Sequence, residues 1–388
     1  MKILLGVTGS VAAYKAALLA RLLGKHGHRV RTLLTPAAER FVAPLTFAAL
    51  TGDAAYTDRD FWQPSGQILH VDLARWADLV VVAPASYNTL GKWAHGVADN
   101  ALLALLPMVR RPIVVAPAMH GEMYESLKAL GVLPRLEGLG AVLVGPEVGP
   151  LASGDEGPGR MSEPETLLQE IQDLARTLNL LQNRKVLVVY GRTEEDLDSV
   201  RVLTNRSSGR MGVALVRWAL RMGARVSTLV GETAVEPPQT PEMVRVRTTQ
   251  EMQRALNRLA PEAEVVVMAA AVSDYRPAQR ASAKIPRQAG SQTLRLEPTE
   301  DLLAQMPRRP GQVVVAFALE EEENLEARAR EKMARKGATL MVANPPAAMG
   351  AETTRGVILT PKDRVPFENW SKHRLALEIW KRVAELLP

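Results

Sequence analysis

The 388-residue chain contains no cysteine, which excludes disulfide bonds, thiolate metal sites, iron–sulfur clusters and cysteine nucleophiles. Its six histidines are scattered and form no histidine-rich metal-binding motif. No apolar run approaches the roughly 18 residues that a membrane-spanning helix needs. The first residues lack the basic region and the small-residue cleavage site of a signal peptide. These absences predict a cytoplasmic protein that does not bind membranes.

The sequence also lacks a block of basic residues, although its net charge is +6 and its isoelectric point is near 9.6. Basic and acidic residues alternate along the chain, which is typical of a solvated surface and not of a nucleic-acid-binding domain. Charged residues make up 23% and hydrophobic residues 47% of the chain, which indicates a globular protein. We therefore expect anionic small molecules as partners and no nucleic acid.

Short apolar runs alternate with helical patterns along the whole chain, which is typical of parallel sheets covered by helices on both faces. The length allows for about two domains. After a helical stretch over residues 163–181 the alternation begins again. We therefore predict an α/β protein with two consecutive domains, residues 1–180 and 181–388, each a three-layer α/β/α fold around a parallel sheet. The predicted strands cover residues 2–7, 29–34, 79–83, 113–116, 141–144, 185–190, 225–230, 265–270, 313–317 and 340–343.

Three polar loops follow strands of the first half, and parallel strands place such loops at one edge of the sheet. Gly9 and Ser10 precede a helix predicted over 11–23, whose first backbone amides are suited to hold a phosphate. The other two loops are PASYNT (84–89) and PAMH (117–120). The glycine spacing matches neither GxGxxG nor the GKS/T ending of a P-loop, so a generic tight turn remains an alternative for the first loop.

The segments GSVAAYK (9–15), PASYNT and PAM resemble the flavin-dependent cysteine decarboxylases. With its second half, the whole chain resembles the bifunctional phosphopantothenoylcysteine decarboxylases and phosphopantothenate–cysteine ligases of coenzyme A synthesis. The resemblance implies flavodoxin-like or Rossmann-like domains and an FMN cofactor in the first of them. The implied FMN contacts are Gly9, Ser10, Thr35, Ser86, Asn88 and Thr89.

In that family FMN oxidises the substrate thiol to a thioaldehyde, which loses carbon dioxide, and the resulting enethiol is reduced again. His70 matches the active-site histidine, whose imidazole suits proton transfer near neutral pH. Met119 and His120 stand in the substrate-binding motif, where His120 replaces an asparagine. Ser153, in the glycine-rich clamp 149–161, replaces the catalytic cysteine. Another acid would then protonate the enethiol, and the candidates are Asp155, Glu156 and His120.

The second half carries its own anion-binding motif, VLTNRSSGRMG (202–212), before a helix predicted over 213–222. Hydroxyls, an arginine and glycines at a helix start form an anion cradle, with an ordinary capped helix as the alternative. The run resembles the loop of the ligases. The resemblance implies that Asn205 holds an acyl-nucleotide intermediate and that four residues contact phosphate groups: Arg201, Ser207, Ser208 and Gly209.

Further segments of the second half resemble the nucleotide site of the ligases. AAAVSDYRP (269–277) places Asp274 there, and Phe317 lies in a strand that packs the pyrimidine. Lys284 lies on a hairpin or flap predicted over 278–296, and a mobile lysine follows the charge that grows on the phosphates during acyl transfer. Lys332 and Lys336 match later elements of the site.

The resemblance thus implies CTP with Mg²⁺, 4′-phosphopantothenate and cysteine as ligands of the second domain. It also implies a homo-oligomer, with trimeric contacts between decarboxylase domains and dimeric contacts between ligase domains. The residues that would bind the metal ion are left unassigned by the resemblance.

Three alternatives stay open at this point. In the first, an active ligase is joined to a flavin domain that cannot finish turnover, because Ser153 and His120 replace the expected groups. In the second, the flavin domain acts on another carboxylated thiol or a different acid. A nicotinamide-dependent oxidoreductase or a plain nucleotide-binding module is disfavoured by the missing GxGxxG motif.

Overall fold

The structure, a computed structural model, describes the chain except for residues 65, 67, 151–153, 287–290, 292, 349–350 and 352. It divides into two compact units, Met1–Arg176 and Thr177–Pro388. The boundary between the units falls within one helix, Pro164–Leu181. None of the helices in the described part of the chain has the length and apolar composition needed to cross a membrane.

The first unit contains a six-stranded parallel sheet and a separate antiparallel hairpin, β7–β8. Its strands are β1 (Lys2–Val7), β2 (Arg29–Leu34), β3 (Ala55–Thr57), β4 (Leu79–Ala85), β5 (Ile113–Pro117), β6 (Ala141–Leu143), β7 (Glu147–Pro150) and β8 (Glu156–Arg160). Its helices are α1 (Ala13–Lys25), α2 (Pro44–Thr51), α3 (Asp58–Phe61), α4 (Leu69–Trp76), α5 (Tyr87–Ala94), α6 (Ala101–Leu105), α7 (Gly121–Ala129), α8 (Val132–Leu139) and α9 (Pro164–Leu181), which continues into the second unit.

The second unit contains an eight-stranded sheet in which six parallel strands are followed by two antiparallel ones at one edge. Its strands are β9 (Lys185–Arg192), β10 (Glu194–Asp196), β11 (Val202–Thr204), β12 (Arg225–Val230), β13 (Glu242–Arg245), β14 (Val265–Ala271), β15 (Tyr275–Pro277), β16 (Leu296–Pro298), β17 (Val313–Leu319), β18 (Leu340–Asn344), β19 (Thr353–Leu359) and β20 (Arg364–Ser371). Its helices are α10 (Arg210–Arg221), α11 (Thr249–Leu259), α12 (Leu302–Gln305), α13 (Leu325–Lys336) and α14 (Lys372–Leu386).

The parallel strands are continuous apolar runs because helices cover both faces of each sheet. All seven residues of β4 are buried, and α1 buries the stripe Ala13, Ala16, Leu19, Ala20 and Leu23. The predicted α/β class and the ten predicted strands are confirmed, with bounds that differ by up to two residues. Sequence analysis did not identify the short strands β3, β10, β11 and β13, the hairpin β7–β8, or the antiparallel strands β19 and β20.

Two sequence-based bounds in the second unit need correction. The helix predicted over 213–222 begins three residues earlier, at Arg210, because Gly209 adopts the left-handed conformation (φ 76°) that ends the preceding loop. The hairpin predicted over 278–296 is short: β15 pairs with β16, and the described residues between them form no strand.

Both sheets place their first strand between the second and the fourth. The order is β3-β2-β1-β4-β5-β6 in the first unit, and β13-β12-β9-β14-β17-β18 begins the second. The strand order therefore reverses between β1 and β4, and between β9 and β14. In open α/β sheets such a switch point opens a crevice at the carboxyl ends of the strands, where ligands bind.

Candidate active sites

At the switch point of the first unit, a threonine hydroxyl links the loops that follow β1 and β4. The Thr8 hydroxyl, which follows β1, donates a hydrogen bond to the Pro84 carbonyl (2.8 Å) and accepts one from the Ser86 backbone amide (2.9 Å). The loops after β1 and β4 are thereby held side by side. Ser86 also caps α5, since its Oγ accepts a hydrogen bond from the Thr89 amide (3.4 Å).

A cavity of about 580 Å³ opens over these loops. All six residues implied as FMN contacts line it, as does Met119; the set is Gly9, Ser10, Thr35, Ser86, Asn88, Thr89 and Met119. Asp99 and Asn100 of the polar segment GVADN (96–100), which sequence analysis also places at this strand exit, line the cavity, whereas sequence analysis missed Asp58 and Lys92. Lys92 and Asp99 form an ion pair. Asp58 and Lys92 follow no pattern that would have marked them.

The lining fits a phosphate-bearing cofactor such as FMN. A Cβ atom at Gly9 would lie 2.5 Å from the Cβ of Ala37, so only glycine permits this close approach of the two loops. Residues with small hydroxyl side chains also line this part of the cavity. One of them, Thr35, is buried, and its Oγ1 accepts a hydrogen bond from the Ala38 amide (3.3 Å). Backbone amides and hydroxyls near the start of a helix are suited to hold phosphate oxygens.

His70 lies outside the residues described as lining this cavity. It is the second residue of α4, and its ring packs edge-on against Phe61 with 5.4 Å between the ring centroids. Its Nδ1 atom is buried without a hydrogen-bond partner in the described part of the chain.

His120 is the residue immediately before α7, and its imidazole contacts the hairpin β7–β8. Its Nε2 atom lies 3.0 Å from Oδ2 of Asp155, just before β8. The backbone of β8 runs close to the same loop, since the Met119 amide donates a hydrogen bond to the Gly159 carbonyl (3.0 Å). A Cβ atom at Gly159 would lie 2.1 Å from the Met119 carbonyl oxygen. Ser153, the predicted replacement of the cysteine, lies outside the described residues.

A buried lysine ties α1 to the residues that follow this hairpin. Lys15 Nζ donates hydrogen bonds to the Met161 carbonyl (3.0 Å) and to Glu163 Oε1 (2.9 Å). The Glu163 carboxylate also accepts a hydrogen bond from Arg160. The hydrogen bond from Lys15 and the contact with Arg160 hold the pKa of Glu163 below its usual range. These hydrogen bonds thus connect α1, which starts near the cavity, to the end of the glycine-rich clamp (149–161).

The switch point of the second unit is organised by Thr193 and Asn205. The buried Thr193 Oγ1 accepts a hydrogen bond from the Ser273 amide (2.9 Å), and its carbonyl accepts one from the Thr204 hydroxyl (2.8 Å). The Asn205 Nδ2 donates to the Ala271 carbonyl (2.6 Å), and its Oδ1 accepts from the Ser207 amide (3.0 Å). Asn205 therefore joins the exit of β14 to the loop before α10.

A cavity of about 530 Å³ lies at this switch point. It brings together most residues that sequence analysis assigned to the second domain: Asn205, Ser207, Ser208, Gly209, Asp274, Phe317, Lys332 and Lys336. Lys332 forms an ion pair with the buried Glu320, and Lys336 with Asp301 (3.4 Å). Arg210, which belongs to the predicted anion-binding motif 202–212, also lines this cavity, as do Glu300 and Lys372, which sequence analysis missed.

Arg201 and Lys284 are not among the residues described as lining the cavity. They lie around Asp198, a fully buried carboxylate that accepts hydrogen bonds from the amides of Val200 (2.8 Å), Arg201 (2.7 Å) and Ile285 (3.1 Å). Burial raises the pKa of Asp198, but these three amides and the Arg201 guanidinium outweigh it and leave the pKa below its usual range. Asp198 thus fixes the segment next to Lys284 beside Arg201.

Within the residues that the structure describes, no three histidine, aspartate or glutamate side chains lie together in a way that would hold a metal ion.

The geometry defines an α/β protein with two ligand cavities, each at the switch point of a doubly wound sheet. Comparison with known proteins agrees with this division. Residues 1–176 match the family model described as "Flavoprotein". Residues 181–387 match the family model "DNA/pantothenate metabolism flavoprotein C-terminal domain".

Curated relatives match nearly the whole chain, and three of them carry the description "Coenzyme A biosynthesis bifunctional protein CoaBC". The protein of Bacillus subtilis (strain 168) is 37% identical over 90% of this chain and 87% of its own length. The protein of Mycobacterium tuberculosis (strain ATCC 25618 / H37Rv) is 41% identical over 88% of this chain and 85% of its own length. The protein of Vibrio parahaemolyticus is 32% identical over 100% of this chain and 98% of its own length. The chain belongs to the family of bifunctional CoaBC proteins, as its sequence motifs predicted.

Proposed function

We propose that the chain catalyses two consecutive steps of coenzyme A biosynthesis. The second unit ligates cysteine to 4′-phosphopantothenate through an acyl-cytidylate formed from CTP. The first unit decarboxylates the product, phosphopantothenoylcysteine, to 4′-phosphopantetheine. The observation that carries the proposal is that both family matches occur in order in one chain, and each unit has a cavity lined by most of the residues that its motifs imply. Residues 1–180 would form the decarboxylase domain and residues 181–388 the ligase domain.

In the first unit, Gly9, Ser10, Thr35, Ser86, Asn88 and Thr89 would hold FMN. When bound, FMN supplies the two-electron oxidation and the later reduction of the carbon that carries the substrate sulfur. Met119 would contact the substrate beside the cofactor, and the His120 imidazole would donate a hydrogen bond to its carboxylate. His70 would handle a proton, because an imidazole exchanges protons near neutral pH.

The chain supplies no thiol to protonate the enethiol, since it contains no cysteine. A serine hydroxyl is a far weaker acid than a thiol, so Ser153 is a poor substitute. His120 can take this role, since it carries a titratable ring and its orientation is fixed by Asp155 at 3.0 Å. The imidazole would then deliver one proton, which solvent restores after each turnover.

In the second unit, Asn205 would hold the acyl-cytidylate. The loop from Ser207 to Gly209 would bind phosphate oxygens through backbone amides and hydroxyls. Phe317 would pack against the pyrimidine, and Asp274, Lys332 and Lys336 would complete the CTP site, with Mg²⁺ on the triphosphate. Arg201 and Lys284 would approach from the segment held by Asp198, where a lysine can neutralise the charge that develops as the acyl bond breaks.

We also propose that the protein is a cytoplasmic homo-oligomer, with trimeric contacts through the first domain and dimeric contacts through the second. Exposed apolar side chains support contacts of the first domain. Tyr14 and Leu18 lie one turn apart on α1 and are 56% and 53% exposed, and Leu45 on α2 is 77% exposed. Such exposure of several large apolar side chains is typical of a surface that is covered in an assembly.

The direct test is to incubate the purified, FMN-loaded protein anaerobically with synthetic phosphopantothenoylcysteine and to identify the products by mass spectrometry. Formation of 4′-phosphopantetheine supports a complete decarboxylase that uses an acid other than cysteine. Accumulation of the enethiol, or unchanged substrate, contradicts it and leaves a ligase with a flavin domain of altered activity. A parallel incubation with CTP, Mg²⁺, cysteine and 4′-phosphopantothenate tests the ligase separately.

A further inference from the structure

Two cationic side chains in the cavity of the second unit have no carboxylate partner in the described part of the chain. Lys372 donates a hydrogen bond from Nζ to the Ala348 carbonyl (3.1 Å), and neither it nor Arg210 takes part in an ion pair there. The other two lysines of the cavity are compensated, because Lys332 pairs with Glu320 and Lys336 with Asp301. No carboxylate of the described residues therefore compensates the positive charge of Lys372 or Arg210.

The two charges also act on each other. Lys372 is half-buried, and its burial together with the positive charge of Arg210 lowers its pKa. No carboxylate in the described residues offsets this, although Asp274 and Glu300 line the same cavity. Two like charges held together on the wall of a cavity are unfavourable for the unliganded protein, and such local conflicts occur at functional sites.

The position of the two residues in their helices adds to the conflict. Arg210 is the first residue of α10, and Lys372 is the first residue of α14. Helix N-termini carry partial positive charge and are stabilised by acidic residues, yet neither helix has an acidic residue in its first turn. Gly209, which precedes α10, and the first three residues of this helix all line the cavity, and the first backbone amides of a helix have no partner within it.

We propose that Lys372 and Arg210 form a phosphate-binding subsite that complements the loop from Ser207 to Gly209. A phosphate group between the two side chains neutralises both cations and accepts hydrogen bonds from the first turn of α10. The proposal rests on the proposed function only for the source of that group, because two phosphorylated substrates enter this unit. One source is the triphosphate of the nucleotide, and the other is the phosphate monoester of 4′-phosphopantothenate.

The test uses Lys372→Met and Arg210→Met in the full-length protein, with Lys372→Arg as the conservative variant. Isothermal titration calorimetry with inorganic pyrophosphate and with inorganic phosphate measures binding without turnover. Since a hydrogen bond to a charged group contributes about 1.5–3 kcal/mol, each methionine variant is expected to weaken binding of one probe by roughly 10-fold or more. Lys372→Arg is expected to retain most of the affinity.

Steady-state ligase kinetics then identify the source. If the KM for CTP rises together with weaker pyrophosphate binding, the subsite holds the triphosphate. If the KM for 4′-phosphopantothenate rises together with weaker phosphate binding, it holds the monoester. Both results support the subsite. Unchanged affinities and unchanged KM values in both methionine variants overturn it.

The matched control is Arg374→Met, which removes a positive charge from the same first turn of α14 but lies outside the residues that line the cavity. Arg374 packs over the ring of Trp370, and its loss is expected to leave anion binding unchanged. Weakening by Arg374→Met equal to that by Lys372→Met would contradict a defined subsite. A wild-type protein that binds pyrophosphate or phosphate through Lys372 but forms no CTP-dependent product would refute the proposed ligase function and keep the subsite.

Protein stability separates a binding role from a structural one. Lys372→Met removes a half-buried charge that repels Arg210, so its melting temperature without ligand is expected to be unchanged or higher. A lower melting temperature with unchanged binding would show that Lys372 serves only to hold the Ala348 carbonyl, and would overturn the proposal.

Discussion

The Nε2 atom of His120 lies 3.0 Å from the Oδ2 atom of Asp155, and this contact joins the loop after β5 to the hairpin β7–β8. We expect His120→Ala to slow formation of 4′-phosphopantetheine by at least about 100-fold, because it removes the proposed proton donor. Asp155→Asn keeps a hydrogen-bonding partner but removes the negative charge, and it should slow the same step less. Single-turnover assays of the decarboxylase measure both effects. Unchanged rates in His120→Ala would exclude the imidazole as the acid.

Gly159 is predicted to tolerate no side chain, in contrast to its neighbour Gly157. A Cβ atom at Gly159 would lie 2.1 Å from the Met119 carbonyl oxygen, whereas one at Gly157 would meet no atom within 4 Å. Gly159→Ala should therefore displace β8 and abolish decarboxylation while ligase activity persists. Gly157→Ala is the control and should retain both activities. Equal decarboxylase rates in the two variants would refute the importance of this contact.

Lys15 should stabilise the first unit. Lys15→Met removes hydrogen bonds to Met161 and Glu163 at a buried position, and we expect a loss of about 1–3 kcal/mol in the free energy of unfolding. Urea denaturation at neutral pH measures it, with the exposed Arg21→Met on the same helix as the control. An equal loss in both variants would argue against a specific role.

The contribution of Lys15 should also depend on pH. Because the folded protein lowers the pKa of Glu163, this carboxylate stabilises the fold at neutral pH. Its contribution is present above the pKa of the unfolded chain and is lost as the pH falls through the folded-state pKa. The difference in stability between wild type and Lys15→Met should therefore shrink in acid. A difference that is constant from pH 7 to pH 3 would contradict this explanation.

His373 should make the second unit less stable in acid. Burial, together with the positive charges of Arg217 and Arg221, lowers its pKa to about 4. The unfolded chain, with a histidine pKa near 6.5, binds a proton first as the pH falls. The free energy of unfolding is therefore highest above about pH 6.5 and falls towards pH 4, by about 3 kcal/mol at most.

The measurement is the melting temperature between pH 7 and pH 4 for wild type and His373→Gln. The variant should lose less stability over this range because it lacks the titrating imidazole. His26→Gln, which alters an exposed histidine beside α1, should follow the wild type. Parallel pH profiles of wild type and His373→Gln would refute the assignment.

Asn205→Ala and Lys284→Ala are each expected to abolish CTP-dependent product formation without unfolding the chain. Asn205 joins the loop before α10 to the exit of β14, so its loss should disturb the site for the acyl-cytidylate. Lys284 lies next to the segment held by Asp198, from which it would reach the phosphates. Mass spectrometry of the ligase products, with circular dichroism as the folding control, provides the test. Retained turnover in either variant would contradict its assignment.

Much of the site could be predicted because binding loops follow strands directly in the sequence. Once β1, β4, β9 and β14 are recognised, the residues after each strand fall at the switch points, and most of the predicted contacts line the two cavities. Lys372 could not be found in this way. It begins the last helix, and nothing in the local sequence shows that this helix starts beside α10. The roles of all the predicted site residues stay predictions, and His70, Arg201 and Lys284 are not among the residues that line the two cavities.

The sequence by itself determined the α/β class and nearly all the strands of the two parallel sheets, because a strand buried on both faces requires a continuous apolar run and such a run is a local property. Only the tertiary structure decided which charged groups meet. His120 and Asp155, or Arg210 and Lys372, are far apart in the chain, and their proximity depends on strand order and helix packing. The energy of a charge depends on its neighbours and its burial, and both are set when the chain folds.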